Sequence, residues 1–291
     1  TPNQWQPMNR NDLESTFIQT NGITLHVMQA GPEDGPLLIL LHGFPEFWYC
    51  WHKQIQPLAD AGYRVWVPDM RGYNLSEKPR GFSAYNLDAL AADVVGLIDA
   101  AGVDQARLVG HDWGAAVSWW TASKYPKRLS KLGILNVPHH RVMADHLRTS
   151  RAQRRKSWYI YLFQLPWLPE FMMRRKNYDV LARAIRGRKK RSPAENERYR
   201  EAWSQPGALT AMVHYYRALL RDRPARAGSK RITMPTLVIW GAQDFALGRE
   251  MAQPSIDLCD DGRLVFLERA THWVQHDEPE RVNELLLEFL A

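Results

Sequence analysis

The stretch that most limits how this chain can fold is Leu108 to Ala115, L-V-G-H-D-W-G-A. An apolar run from Ala106 to Val109 ends at Gly110, Asp112 follows at the spacing G-x-D-x-G, and a helix-like run continues from Trp113 to Tyr125. A strand that passes into a helix over so few residues needs a tight turn with small neighbours, and Gly110 and Gly114 supply them. Asp112 then sits at the tip of the turn. One reading makes it the N-cap of the following helix. The other makes it a nucleophile. A carboxylate is ionised at neutral pH, needs no base to attack, and leaves an ester on the protein when it attacks a saturated electrophilic carbon.

The surrounding chain supports the second reading by placement. Ser15–Thr20 and Thr24–Gln29 flank Asn21-Gly22 and predict a hairpin at the antiparallel edge of a sheet. Leu37–Leu41 reads as a strand buried on both faces, and it runs into His42-Gly43-Phe44-Pro45. Phe47–Ala61 predicts a helix, Arg64–Val67 a strand, and Asn86–Ala101 an amphipathic helix stopped by Gly102. After Asp112 come a helix over Trp113–Tyr125 and a strand over Leu129–Leu135. This alternation predicts an α/β fold, a mostly parallel sheet covered by helices on both faces. Ligands bind at the carboxyl ends of such strands, which is where His42–Pro45, Asp69–Tyr73 and Asp112 fall.

From about Pro138 the pattern changes. Trp, Tyr, Met and Arg become frequent and strand-like runs stop. Ser157–Leu165, Tyr178–Gly187, Pro193–Trp203 and Ala208–Leu220 are the helical candidates. Strands resume at Thr236–Trp240 and Arg263–Leu267, and a helix over Glu278–Leu290 closes the chain. The organisation expected is a core of residues 1–137 and 232–291 with a helical cap, or lid, of residues 138–231 inserted in it. Charge separates the two. His139 to Arg231 holds 23 Lys and Arg against 7 Asp and Glu, while the rest of the chain has 15 against 24. The basic segment is either a solvated helical face or a patch attracting anionic ligands or surfaces. No nucleic-acid motif accompanies it, and no apolar run reaches the eighteen residues of a membrane span, so neither nucleic acid nor stable membrane insertion is expected. Cys50 and Cys259 are far apart in sequence and form neither a disulfide framework nor a metal cluster. A reducing cytoplasm is the default compartment. The start, T-P-N-Q-W-Q-P, lacks both a signal pattern and an initiator Met, so a removed signal peptide stays open.

Asp112, Asp244 and His272 follow strands in the nucleophile, acid, His order of the α/β-hydrolase fold. His272 follows the last strand and precedes the last helix, the place in the chain where the His of that order falls. It would serve as base, with Asp244 orienting its ring. An ester on Asp112 would be cleaved by water, and the oxygen developing on its carboxyl carbon needs donors. The backbone N–H groups of Trp113 and Phe44 are the candidates. Two electrophiles suit an elbow Asp. Carbon–halogen bonds release halide, whereas epoxides open to an alkoxide that needs an acid such as a phenol.

The set H-G-F-P (His42–Pro45), G-H-D-W-G (Gly110–Gly114), W-G-A-Q-D (Trp240–Asp244) and T-H-W-V-Q (Thr271–Gln275) resembles the α/β-hydrolase-fold epoxide hydrolases along the whole core. That resemblance implies hydrolysis of a small-molecule epoxide by water to a vicinal diol, with no metal or organic cofactor. It implies substrate contacts from Phe44, Pro45, Trp113 and Trp273, and two cap tyrosines on the epoxide oxygen. One lies shortly before F-Q-x-P, here Phe163–Pro166, which gives Tyr159. The other precedes an Arg, here Arg217, which gives Tyr216. Tyr161 and Tyr215 are the alternatives if the register slips. Trp167 and His214-Tyr215 depart from the family's usual Gly and Asn-Trp, and both are expected near the substrate channel. Asn136 stands where some relatives place the acid, which leaves Asp244 for that role. Trp and Met content predicts a roomy apolar pocket. Haloalkane dehalogenases share the H-D-W-G elbow but often carry Asn where Phe44 stands, and the tyrosine pair would have no role there. A non-catalytic binder on the same fold would show a broken triad. Monomer and homodimer both remain open.

Overall fold

The computed structural model describes residues 13–188, 190–222 and 231–291. The N-terminal heptapeptide considered for processing lies outside them. Eight strands form one sheet: β1 (Glu14–Thr20), β2 (Ile23–Ala30), β3 (Leu37–Leu41), β4 (Arg64–Pro68), β5 (Ala106–His111), β6 (Leu129–Leu135), β7 (Thr236–Gly241) and β8 (Gly262–Leu267). Their order is β1-β2-β4-β3-β5-β6-β7-β8. The β1–β2 and β2–β4 pairs are antiparallel and every later pair is parallel. The predicted hairpin is present. Asn21 and Gly22 take φ of 47° and 75°, the two positive values a type I′ turn requires.

β3 explains why the sheet is covered on both sides. Leu37, Ile39 and Leu41 belong to one apolar cluster and Leu38 and Leu40 to the other, and none exceeds 2% exposure. Side chains alternate along a strand, so a continuous apolar run can be buried only between two layers. Those layers are built by α1 (Ile55–Asp60), α2 (Leu87–Ala100), α3 (Trp113–Lys124), α10 (Ala252–Ile256), α11 (Val274–Asp277) and α12 (Pro279–Leu290), with the rest of the helices inserted between β6 and β7. β3 pairs with β4 on one side and β5 on the other. The chain therefore reverses its direction of travel across the sheet at β3, and the loops after β3 and β5 lie side by side at a switch point.

The insertion comprises α4 (His140–Thr149), α5 (Arg151–Lys156), α6 (Trp158–Leu162), α7 (Leu168–Ala184), α8 (Pro193–Ser204) and α9 (Ala208–Arg221). Three expectations need correction. The helix expected over Phe47–Ala61 is a 3-10 turn at Trp48–Trp51 followed by α1. The helix expected over Tyr178–Gly187 is the second half of α7, which breaks at Arg175–Tyr178, where the backbone leaves helical dihedrals. α4 and α5 were not expected at all. α5, R-A-Q-R-R-K, offers no apolar period; it is held instead by buried Gln153, which bonds Ser157 Oγ, the Ala246 carbonyl and the Gly248 N–H. No helix among the described residues is long and apolar enough to cross a membrane.

Candidate active site

The turn after β5 is as tight as its glycines suggest. A Cβ on Gly110 would lie 2.4 Å from the Gly114 carbonyl oxygen, and one on Gly114 would lie 2.3 Å from that of Leu41. Between them Asp112 adopts φ 51° and ψ −124°, a strained conformation for a residue with a side chain. Asp112 does occupy the N-cap position of α3, but its carboxylate makes no capping hydrogen bond there, so capping is not what the side chain does. Instead Oδ1 accepts the Phe44 N–H at 2.6 Å, and Oδ2 lies 3.4 Å from His272 Nε2. Trp113 opens α3, so its N–H belongs to the first helical turn, where no carbonyl one turn back exists to take it.

His272 follows β8 and Asp244 follows β7. His272 Nδ1 lies 2.7 Å from Asp244 Oδ2. Burial works against a charged imidazole, but Asp244 and Asp112 outweigh it and push His272 up to about 10. Burial likewise opposes the Asp244 charge. His272, the Asn136 amide and the Leu247 N–H more than offset it, and its pKa falls below the usual carboxylate value. Both Asp244 oxygens are engaged: Oδ1 accepts the N–H groups of Ala246 and Leu247, and Oδ2 accepts Asn136 Nδ2 at 2.8 Å.

Over this row of strand-end groups lies a cavity of about 260 Å³. Asp112, His272, Phe44, Pro45 and Trp273 line its floor, and Tyr159, Phe163 and Tyr216 line the opposite wall. Trp113 is not among the lining residues but packs edge-on against Tyr216 at 5.2 Å between centroids. Tyr159 and Tyr216 are 5.7 Å apart by ring centroid. Burial, and then the Asp112 charge, raise both phenols above their ordinary pKa, so both hold their protons. The register alternatives fall away. The Tyr215 hydroxyl donates to the Arg71 carbonyl at 2.7 Å, outside the cavity, and Tyr161 is 58% exposed.

A family model described as the alpha/beta hydrolase fold matches residues 36–279. The chain is 49% identical over 282 residues to the AB hydrolase superfamily protein YfhM of Bacillus subtilis, covering 96% of this chain and 98% of that one. It is 37% identical over 282 residues to human epoxide hydrolase 4, covering 94% and 77%. The crystal structure of a Bacillus megaterium epoxide hydrolase with an inhibitor superposes with a TM-score of 0.86 at 29% identity, over 94% of this chain and 99% of that one. This chain belongs to the α/β-hydrolase-fold epoxide hydrolases.

Two expectations about the epoxide hydrolase cavity do not hold. It is compact rather than roomy, although Trp158, Met172, Met173 and Trp273 do line it. Trp167 and His214 do not approach it; they border a separate open cleft of about 770 Å³ on the outside of the insertion, which contains none of the strand-end groups. The family pattern marks these positions as unusual, but their side chains point away from the cavity.

Sequence reasoning also missed the support beneath His272. Asn136 adopts φ 59°, accepts the Gly241 N–H and donates to Asp244, so it ties the loops after β6 and β7 together. His111, at the end of β5, sits with Nε2 2.8 Å from the His272 carbonyl. Burial pushes His111 down to about 4, so the ring is neutral; a carbonyl only accepts, so Nε2 carries the proton and Nδ1 accepts from Gln275 Nε2 at 3.1 Å. Glu46 lies fully buried beside it and receives Tyr199 Oη at 2.8 Å and Gln275 Nε2 at 3.2 Å, with His276 Nε2 at 2.7 Å. Burial opposes the Glu46 charge, but His276 and Arg191 overcome it and hold the carboxyl well below its usual range. The only signal in the sequence was that Glu46 extends H-G-F-P and Gln275 closes T-H-W-V-Q.

Proposed function

We propose that this protein hydrolyses epoxides to vicinal diols through an ester on Asp112. The observation that carries the reading is a carboxylate at a strained turn facing two protonated phenols across an apolar cavity. Neither halide release nor simple binding gives that pair of phenols a purpose, and Phe44 offers no side-chain donor to a halide. The residues of the insertion, 138–231, act as a lid that brings the phenols to a core of residues 1–137 and 232–291.

In the first step Asp112 attacks one epoxide carbon from the side opposite the C–O bond. The C–O bond breaks, and Tyr159 and Tyr216 share the developing alkoxide, one giving it a proton. Esterification removes the Asp112 charge that helped hold the proton on His272. The imidazolium then releases that proton, which restores the phenol, and becomes a neutral base. In the second step His272 takes a proton from water as the water oxygen attacks the Asp112 carboxyl carbon. The N–H groups of Phe44 and Trp113 hold the tetrahedral oxygen. Collapse frees the diol and regenerates the Asp112 carboxylate beside a charged His272. Asp244, fixed by Asn136 and the turn at Ala246–Leu247, keeps the imidazole aimed.

The decisive experiment is intact-mass analysis of His272→Gln after mixing with a small aryl epoxide. The expected result is a stoichiometric gain of the epoxide's full mass, located on the peptide containing Asp112. Normal multiple turnover by this variant, or a label elsewhere, would reject the mechanism.

A further inference from the structure

We propose that the face of the insertion surrounding the cavity mouth docks on an anionic lipid bilayer. Isolated exposed apolar residues need no explanation, but a continuous patch does. Of the twelve large hydrophobic residues that are exposed among those described, seven fall within residues 158–180, and Phe245 is an eighth at the cavity. On α6 and the turn that follows, Trp158, Tyr161 and Leu165 recur at helical spacing. At the start of α7, Trp167 is 72% exposed and Phe171 stands one turn further on, its N–H bonded to the Trp167 carbonyl at 2.9 Å. Trp158, Met172, Val180 and Phe245 are exposed and also line the 260 Å³ cavity, while Trp167 and Phe171, the latter next to Met172 on α7, border the neighbouring open cleft, so the patch runs from the mouth onto that cleft.

Charge selects the occupant. Residues 151–190 contain twelve Lys and Arg and two acidic residues, Glu170 and Asp179. Both acids are already engaged, Glu170 by Arg217 and Asp179 by Arg183. Arg155, Arg174, Arg175 and Lys176 are exposed beside the apolar residues, and the Arg175 guanidinium lies 5.7 Å from the Phe171 ring centre. Aromatic side chains set among cations match the boundary between acyl chains and anionic headgroups. A two-fold dimer through the same face would oppose two basic sets, which disfavours a second copy of the chain. Among the described residues no helix is long and apolar enough to span, so the docking proposed is association at the surface. The mouth would then open onto the hydrocarbon, where apolar epoxides partition. That use of the surface rests on the proposed function, whereas the docking does not.

The test is co-sedimentation of the full chain with vesicles of phosphatidylcholine, with and without phosphatidylglycerol. Binding should require phosphatidylglycerol and weaken as salt is added. Two sets of substitutions, Arg174→Glu with Arg175→Glu and Lys176→Glu, and separately Trp167→Asn with Phe171→Gln, should each weaken it by at least about tenfold. Thermal melting and turnover of a water-soluble epoxide should stay unchanged in both, which separates this proposal from the catalytic one. The proposal is overturned if wild-type protein binds neither vesicle, or if the aromatic pair makes no difference. It is also overturned if light scattering finds a dimer that Trp167→Asn with Phe171→Gln dissolves.

Discussion

The two walls of the cavity are made by different means. The floor stands on strand ends: Asp112, His272 and Asp244 each follow a parallel strand, and backbone N–H groups and Asn136 fix their side chains. The opposite wall stands on short helices of a basic segment, and its two phenols are placed by ring packing against Phe44, Phe163 and Trp113. Hydrogen bonds to a rigid sheet fix a group more sharply than aromatic contacts between helices do. The nucleophilic half of the site should therefore be intolerant of change, and the electrophilic half graded.

Substitutions can break that contrast. Asp112→Ala should remove the floor's reactive group and lower kcat/KM by about 10⁵-fold or more, measured with a chromogenic epoxide. On the other wall, Tyr159→Phe and Tyr216→Phe should each cost roughly 10²-fold, because the remaining phenol still serves the alkoxide, and the double variant should fall by at least about 10³-fold in the same assay. A single Phe substitution as damaging as Asp112→Ala would erase the distinction. Support beneath the floor should matter less than its members. Asn136→Ala removes the bond to Asp244 Oδ2 and should slow single-turnover ester hydrolysis by about ten- to a hundredfold, while ester formation is left nearly intact. The remaining effect is on stability rather than on rate. His272 is raised to about 10 in the fold, so it favours the folded state fully below its unfolded pKa of about 6.5, and this contribution is lost as pH rises through 10. Denaturant midpoints should decline between about pH 7 and 10, and His272→Gln should flatten the decline.

The same division decided what the sequence could reveal. Leu37–Leu41 and Ala106–Val109 are strands because nothing but a two-sided core accepts such runs, and a strand's end then locates whatever polar residue follows it. Asp112, Asp244 and His272 were legible for that reason. The inserted helices have no such rule. α4 buries only Val142, and α7 is broken at four consecutive residues, so neither shows a clean apolar period. Tyr159 and Tyr216 could be named only through the family's pattern, and the departures at Trp167 and His214 were misjudged because a pattern does not say which way a side chain points. Asn136, His111 and Glu46 were beyond reach for a third reason. Each joins segments far apart in the chain, and no local spacing encodes such a meeting.

Neighbouring tyrosines on α9 carry a consequence of their own. Tyr215 is anchored to the Arg71 carbonyl, and so the rotation of α9 about its axis is held by the loop after β4. Tyr216 inherits that anchor. Its counterpart Tyr159 rides on five-residue α6, whose neighbour α7 already bends at Arg175–Tyr178. The two phenols are nonetheless yoked: Gln164 Nε2, in the turn after α6, donates to the Tyr216 carbonyl at 2.8 Å, and Arg217 donates to the Phe163 and Leu165 carbonyls at 3.1 and 2.7 Å. Room for bulkier epoxides therefore has to come from the half of α7 beyond its break, where Val180, Leu181 and Ala184 line the cavity, rather than from spreading the pair.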